Sequence, residues 1–418
     1  MFWYYFFPPL IELAAALLVY GGFLCPYCRR HPDAWAVKIF APTILFLIYL
    51  IGAANFLIRD NHFAAWALWT SGLCVALILI WALGTGIYLT SKILSNIIKH
   101  FSSPRFNARW ARFKDGKGFK KFKMAYFIFF ALVYPLLGLW GGGQPPRAVY
   151  LSLNLSRAPS NAFPTTPHDF KVVFLSDLHL GTWQGNRAYL ANVVELVNQQ
   201  HPDLVLIGGD LVDHDQASFV PLLQPLQDLN APWGVYFALG NHEGLSPTPH
   251  LLQELEILGV HPLVNQSVVI GGRFNVAGVG DIDCGHWGER YLPQRPSDID
   301  GSLPTILLAH RPNLMRDENL AAVDLALMGH THGGQIEPFS ILPRLTNLYF
   351  KGLYRRPREK KDVFGKLNTA PAMTTPLPAY YHADRNTAFY YVSQGTGTSG
   401  PPMRFMTFSE ITVLYLHF

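Results

Sequence analysis

Charge is scarce in this chain. Asp, Glu, Lys and Arg together make up 15% of its 418 residues, against about 25% in an ordinary soluble domain. The shortage excludes a conventional soluble enzyme along the whole length, and with half of the residues apolar it excludes a disordered chain. Cysteine is scarcer still. Cys25, Cys28, Cys74 and Cys284 are too few and too scattered for a disulfide framework. No internal repeat is visible. At about 150 residues per domain the length allows two or three units.

What is present divides unevenly. Four apolar stretches fill the first third: Phe2–Leu24, Ala34–Ile58, Phe63–Leu89 and Met124–Trp140. Each approaches or exceeds the ~20 residues that cross a bilayer as a helix, and Trp and Tyr crowd their ends as an interfacial belt does. They are too numerous for a signal peptide. Between Lys92 and Lys123 ten Lys and Arg face a single acid, Asp115. That loop, with Arg29, Arg30 and Lys38, reads as cytoplasmic by the positive-inside rule, so both termini and everything after Trp140 are expected outside. The net charge of +5 is thereby a topology signal, and no nucleic-acid partner is expected. Glu12 reads equally as an acid within the first span or as an interfacial residue. Cys25-Pro-Tyr-Cys28 has redox-type spacing without a βαβ setting and reads as a chance pair.

The expected organisation is a transmembrane domain over 1–141, a linker over 142–169 stopped off by Gly141–Gly143, Pro145 and Pro146, and a globular domain over 170–418. One strand is expected in the linker, Val149–Leu155. In the globular part, strands are expected at Lys171–Ser176, Leu204–Gly208, Gly234–Leu239, Val268–Ile270, Asn275–Val279, Thr305–Ala309, Leu325–Met328, Ala388–Val392 and Ile411–Leu416. Helices are expected at Arg187–Gln200, Phe219–Leu229 and His250–Leu258. Alternation early and strands later point to a layered α/β or α+β sandwich.

Nearly every strand in the first two-thirds of that part ends in Asp, His or Asn. Asp177 and His179 follow the first, Asp210 and Asp213 the second, and Asn241, His242 and Glu243 the third. His310 follows Thr305–Ala309, and His330 and His332 follow Leu325–Met328. Strand ends of such sheets open into one crevice, and alternate residues such as 177 and 179 face the same way. Four donors satisfy one zinc. A set of Asp177, His179, Asp210, Asn241, His310, His330 and His332 suits two borderline metals sharing a carboxylate. Asp213 reads either as an acceptor that orients a ligand histidine or as a turn residue. Arg404, after the Gly-rich run Gly395–Gly400, reads either as a clasp on a substrate anion or as a surface residue of a turn. Asp281 and Asp283 read equally as site edge or turn, and Cys284 as packing.

The order Asp177-x-His179, Gly209-Asp210-x-x-Asp213, Gly240-Asn241-His242-Glu243, His310, Gly329-His330-x-His332 resembles the calcineurin-like metallophosphoesterase superfamily. Leu175–Gly181, Gly329–Gln335 and Gly395–Arg404 are similar to its bacterial membrane-linked branch of YkuE/YaeI-type phosphohydrolases and, more distantly, to UDP-diacylglucosamine pyrophosphatases. The resemblance implies a four-layer sandwich of two mixed sheets flanked by helices, here preceded by an all-α four-helix transmembrane domain. It implies two divalent metal ions (Mn, Fe, Zn or Mg), one on Asp177, His179, Asp210 and His332. The other would lie on Asp210, Asn241, His310 and His330. His242 would be the catalytic histidine that protonates the leaving oxygen. The expected activity is hydrolysis of phosphomonoester, phosphodiester or pyrophosphate bonds of a lipid or lipid-linked nucleotide, by a multi-pass protein of the inner membrane with membrane lipids as partners. The alternative is a membrane sensor or scaffold that only binds. Residues 336–387 depart from the compact pattern. Their basic run Arg355, Arg356, Arg358, Lys360 and Lys361 beside Phe350 and Tyr354 reads as a solvated loop or as a contact with lipid head groups.

Overall fold

A computed structural model describes residues 13–21, 25, 41–50, 65–155, 170–182, 185–213, 220–245, 248–357, 380–382 and 387–418. The chain forms two compact units, Met1–Trp140 with Gly400–Met403, and Gly141–Ser399 with Arg404–Phe418.

In the first unit, α1 (Ala65–Phe101), α2 (Pro104–Asp115) and α3 (Lys117–Ile128) follow one another. Ser103 caps α2 by accepting from the Phe106 N–H, and Pro104 occupies its first turn, where no N–H is needed. A π turn over Phe129–Val133 leads into α4 (Tyr134–Gly142). Pro135 has no N–H to return to the preceding turn, and the widened π turn absorbs that loss. Leu73–Phe101 and Lys117–Gly142 are long and apolar enough to cross a membrane. They contain most of the third expected span and all of the fourth. The first two expected spans lie mostly outside the described residues, of which 13–19 and Ala41–Leu50 are helical. The basic stretch expected as a loop is helical instead. Most of its charges lie on exposed helix faces, and only residues 102–103 and Gly116 interrupt it.

The second unit is a pair of sheets. Its strands are β1 (Arg147–Asn154), β2 (Phe170–Leu175), β3 (Leu204–Ile207), β4 (Val235–Phe237), β5 (Val260–Pro262), β6 (Gln266–Ile270), β7 (Phe274–Gly278), β8 (Thr305–Leu308), β9 (Leu325–Met328), β10 (Gly352–Pro357), β11 (Tyr380–His382), β12 (Thr387–Val392) and β13 (Glu410–His417). One sheet has the order β11-β1-β13-β2-β3-β4-β5 and the other β10-β12-β9-β8-β7-β6. Both are mixed. In the first, β2 to β5 run parallel and β13 pairs antiparallel to β2. In the second, β7, β8, β9 and β12 run parallel between antiparallel edges. β1 pairs with β13 along its whole length, so the sheet includes a segment expected to be linker.

The two-residue period of a strand assigns each side chain to a layer. Phe174, Leu204 and Leu206 meet Phe274, Val276, Ile306 and Leu308 between the sheets. Val173, Leu175, Val205 and Ile207 face the other way, onto Leu190, Val193, Val194 and Val197 of α5 (Arg187–Asn198) and Leu251 and Leu255 of α6 (Thr248–Ile257). Leu307, Ala326 and Met328 pack outward on Met315 and Leu320. The result is helix, sheet, sheet and helix in four layers, and the carboxyl ends of β2, β3, β4, β8 and β9 supply the site.

Candidate metal centre

Five of the seven expected ligands stand in left-handed backbone: Asp177 (φ 56), His179 (φ 49), Asp210 (φ 52), His330 (φ 71) and His332 (φ 51). Non-glycine residues avoid that region, and such strain collects where a site must aim its side chains. The turns also interlock. The N–H groups of Asp177 and His179 donate to the carbonyls of Gly209 and Asp210 at 3.0 Å each. Gly209 has φ +89, and a Cβ on it would lie 2.5 Å from the Gly240 nitrogen, so glycine is obligatory there.

The side chains converge. Asp210 Oδ2 lies 3.1 Å from His310 Nε2, 3.8 Å from His179 Nε2 and 3.9 Å from His242 Nε2. Asp177 Oδ1 lies 3.2 Å from His332 Nε2 and 4.0 Å from His310 Nε2. Three clusters have their donor atoms within 4.8 Å of one another: Asp177 with His179 and His332, His179 with Asp210 and His242, and Asp210 with His310 and His330. Asn241 lies beside His242 with a buried Oδ1 that has no hydrogen-bond partner.

The donor chemistry fits divalent cations. His310 Nδ1 sits 2.8 Å from the Gly208 carbonyl, which fixes one proton there and makes Nε2 the nitrogen that a cation would take once its own proton is lost. That Nε2 is buried and makes no hydrogen bond. His179 Nε2 and His332 Nε2 lie 2.9 Å apart, close enough for both to turn to one shared cation. Burial alone would raise the carboxyl pKa of Asp177, but His332 and His310 outweigh it and hold the group below the usual range. Asp210 is held well below by His310 and His242 in the same way. Burial would lower His310, yet the Asp210 carboxylate pushes it up to about 10. Burial and the neighbouring His310 push His330 down to about 3. Carboxylates kept ionised beside mixed histidines are what a hard-to-borderline cation requires.

Asp213 joins two of these histidines. Its Oδ1 is 2.7 Å from His179 Nδ1 and 2.5 Å from His242 Nδ1, and both hold its pKa well below the usual range against burial. Glu243, to which the sequence assigned no role, is fully buried. It accepts from the backbone N–H groups of Asp210 (2.9 Å), Leu211 (2.7 Å), Val212 (3.3 Å) and Gly240 (2.7 Å). It thus ties the turn carrying Asp210 to the turn carrying Asn241. Burial and the Asp210 charge push it up to about 7.

Arg404 departs from expectation. It is 1% exposed, and its Nη atoms donate to the carbonyls of His332, Phe408, Gln394, Gly395 and Gly397. A guanidinium spent on carbonyls under the loop clasps no substrate anion. It holds the His332 turn against the Gly-rich run. Asp281 caps a turn by accepting from the Asp283 N–H, and Arg311, next to His310, forks onto both carboxylates, with Nε 3.0 Å from Asp281 Oδ2. Cys284 is packed in the core.

The calcineurin-like phosphoesterase family model matches residues 170–334. The chain is similar to an uncharacterised metallophosphoesterase of Helicobacter pylori, 33% identical over 307 residues, 72% of this chain and 72% of that one. It is similar to a transmembrane protein with metallophosphoesterase domain of Bos taurus, 32% identical over 303 residues, 68% of this chain and 60% of that one. It is also similar to the phosphodiesterase YaeI of Escherichia coli, 36% identical over 190 residues, 41% of this chain and 66% of that one.

Proposed function

The chain belongs to the calcineurin-like metallophosphoesterase family and is a phosphoric ester hydrolase, and we propose that it is a multi-pass protein of the inner membrane that uses two divalent ions to hydrolyse phosphomonoester, phosphodiester or pyrophosphate bonds. Asp177, His179, Asp210 and His332 would hold one ion, and Asp210, Asn241, His310 and His330 the other. The observation that carries this reading is the position of Asp210 Oδ2, within 4 Å of His179, His242 and His310 at once. Divalent ions in that set would neutralise the charge on a phosphoryl group and supply a water of lowered pKa.

The chain's own residues do the rest. Asp213 fixes the Nδ1–H of His179 and so aims its Nε2 inward. The same carboxylate holds the Nδ1–H of His242 and favours its protonated ring, whose Nε2–H then serves the leaving oxygen. Glu243 and Arg404 hold the turns in place without touching substrate. The family resemblance and the transmembrane-named relative support membrane anchoring. Four spans rest on the apolar stretches of the sequence, and a cytoplasmic basic stretch with an extracytoplasmic catalytic domain rests on the charge distribution.

The test is turnover of a panel of nucleotide, lipid and nitrophenyl phosphoesters by the metal-loaded full chain. Hydrolysis of at least one class is expected, falling about a hundredfold in His242→Ala. Activity unchanged in His242→Ala would refute the role given to that residue.

A further inference from the structure

The short helix α7 (Ile341–Thr346) has no buried residue. Ile341 is 57% exposed, Leu342 66%, Leu345 78%, and Leu348 just beyond it 40%. Isolated exposed aliphatics are ordinary, but Ile341, Leu342 and Leu345 share one face of the helix, and Leu348 follows two residues past its end, so that the segment carries an apolar patch. The patch has a basic setting. Between Gln335 and Pro357 lie Arg344, Lys351, Arg355 and Arg356 against a single acid, Glu337. Arg344 lies 4.8 Å and Lys351 5.6 Å from the ring centre of Phe350.

The patch is fastened to the ligand-bearing turn on both sides. Gly334, two residues past His332, has φ +85, and a Cβ on it would lie 2.2 Å from Ser340 Cβ, the residue that precedes α7. Thr331 Oγ1 donates to the carbonyl of Phe350 at 2.6 Å. The turn with His330 and His332 is therefore gripped between the two ends of the segment that carries α7.

Among the described residues no layer covers this face. The same chain contains two helices able to cross a membrane, the second ending at Gly142, close in sequence to the first residue of β1. A membrane surface is thus always at hand for the second unit. Six residues cannot span a bilayer, but an aliphatic face with a cationic and aromatic rim suits the boundary between head groups and acyl chains. We propose that α7 is a bilayer-docking surface that presents the metal centre to phosphoesters carried by membrane lipids. The proposal deepens the phosphoesterase reading and rests on it for the substrate.

The test uses the full chain in vesicles containing anionic phospholipid, with Cys25, Cys28 and Cys74 changed to Ser. An environment-sensitive fluorophore is placed at Leu345→Cys or at Ile257→Cys, which is 77% exposed on α6. Lipids brominated along the acyl chain are expected to remove about half or more of the emission at Leu345→Cys and little at Ile257→Cys. The pair Leu342→Ser/Leu345→Ser should keep turnover of a soluble nitrophenyl phosphoester and lose about tenfold on a phospholipid phosphoester in vesicles. Equal quenching at both sites would overturn the proposal. So would chain-to-chain crosslinking of Leu345→Cys in place of lipid quenching, or equal loss on both substrates in the double variant. An inactive unsubstituted chain with selective quenching at Leu345→Cys would count against the phosphoesterase reading and leave the docking surface standing.

Discussion

Asp213 does the most with one carboxylate, because it holds Nδ1 of both His179 and His242. Replacing it with Asn keeps the shape and removes the charge that favours a protonated His242. Asp213→Asn should therefore lower kcat about ten- to a hundredfold with a smaller effect on KM, and weaken metal affinity through His179. Steady-state kinetics beside a metal titration check this, and an unchanged kcat would remove Asp213 from the proton path. The seven ligand candidates were legible in the sequence because each follows an apolar strand run and several sit beside glycine. The dual role of Asp213 was not, since it needs His179 and His242 brought to one point from different strands. Glu243 was visible beside His242, but its work is to accept backbone N–H groups, which no side-chain motif encodes. Neither reading of Arg404, anion clasp or surface turn residue, anticipated its burial, because a Gly-rich run next to Arg looks the same in sequence whether the guanidinium faces solvent or, as here, five carbonyls.

At the scale of elements, the parallel strands bring the ligands to one edge, and their burial holds that edge rigid. Leu206, on β3, is fully buried between the sheets. Leu206→Ala removes its contacts with the second sheet and should cost about 2–5 kcal/mol of stability, seen as a lowered melting temperature with the metal-ligand set intact. A loss within a few tenths of a kcal/mol would mean that the two sheets do not form one packed core. The central strands were legible as short apolar runs bounded by glycine and polar residues. Three strands escaped: β5 and β11 are three residues each, too short to show a period. β10 carries Arg355 and Arg356 on a sheet edge, where charge is tolerated and reads as loop. β1 was legible as a strand, but its place in the first sheet depends on a full-length partner more than two hundred residues away. The basic stretch after Leu89 read as loop from charge alone, though its helix formers carry α1, α2 and α3 through it, and its breakers fall at the joints, Ser103-Pro104 and Gly116.

For the whole molecule, the charge deficit belongs chiefly to the apolar helices of the first unit, and the second unit is an ordinary sandwich with a dense polar centre. That centre couples protons to metal. In the metal-free chain the Asp210 carboxylate raises His310 to about 10, above its unfolded value of ~6.5. A raised pKa stabilises the folded metal-free chain fully below ~6.5 and loses that contribution as pH rises through the folded value. A cation at His310 must displace this proton, so loading at neutral pH releases protons and tightens as pH rises. The most direct measurement is calorimetric titration of the metal-free full chain with Mn²⁺ at pH 7 in buffers of different ionisation heat, with elemental analysis and phosphoester turnover at each step. Two ions per chain are expected, with proton release and with turnover appearing only as the second binds, while Asp210→Asn retains at most one ion and no turnover. Full turnover with a single ion, or two ions and full turnover in Asp210→Asn, would contradict a shared two-ion centre.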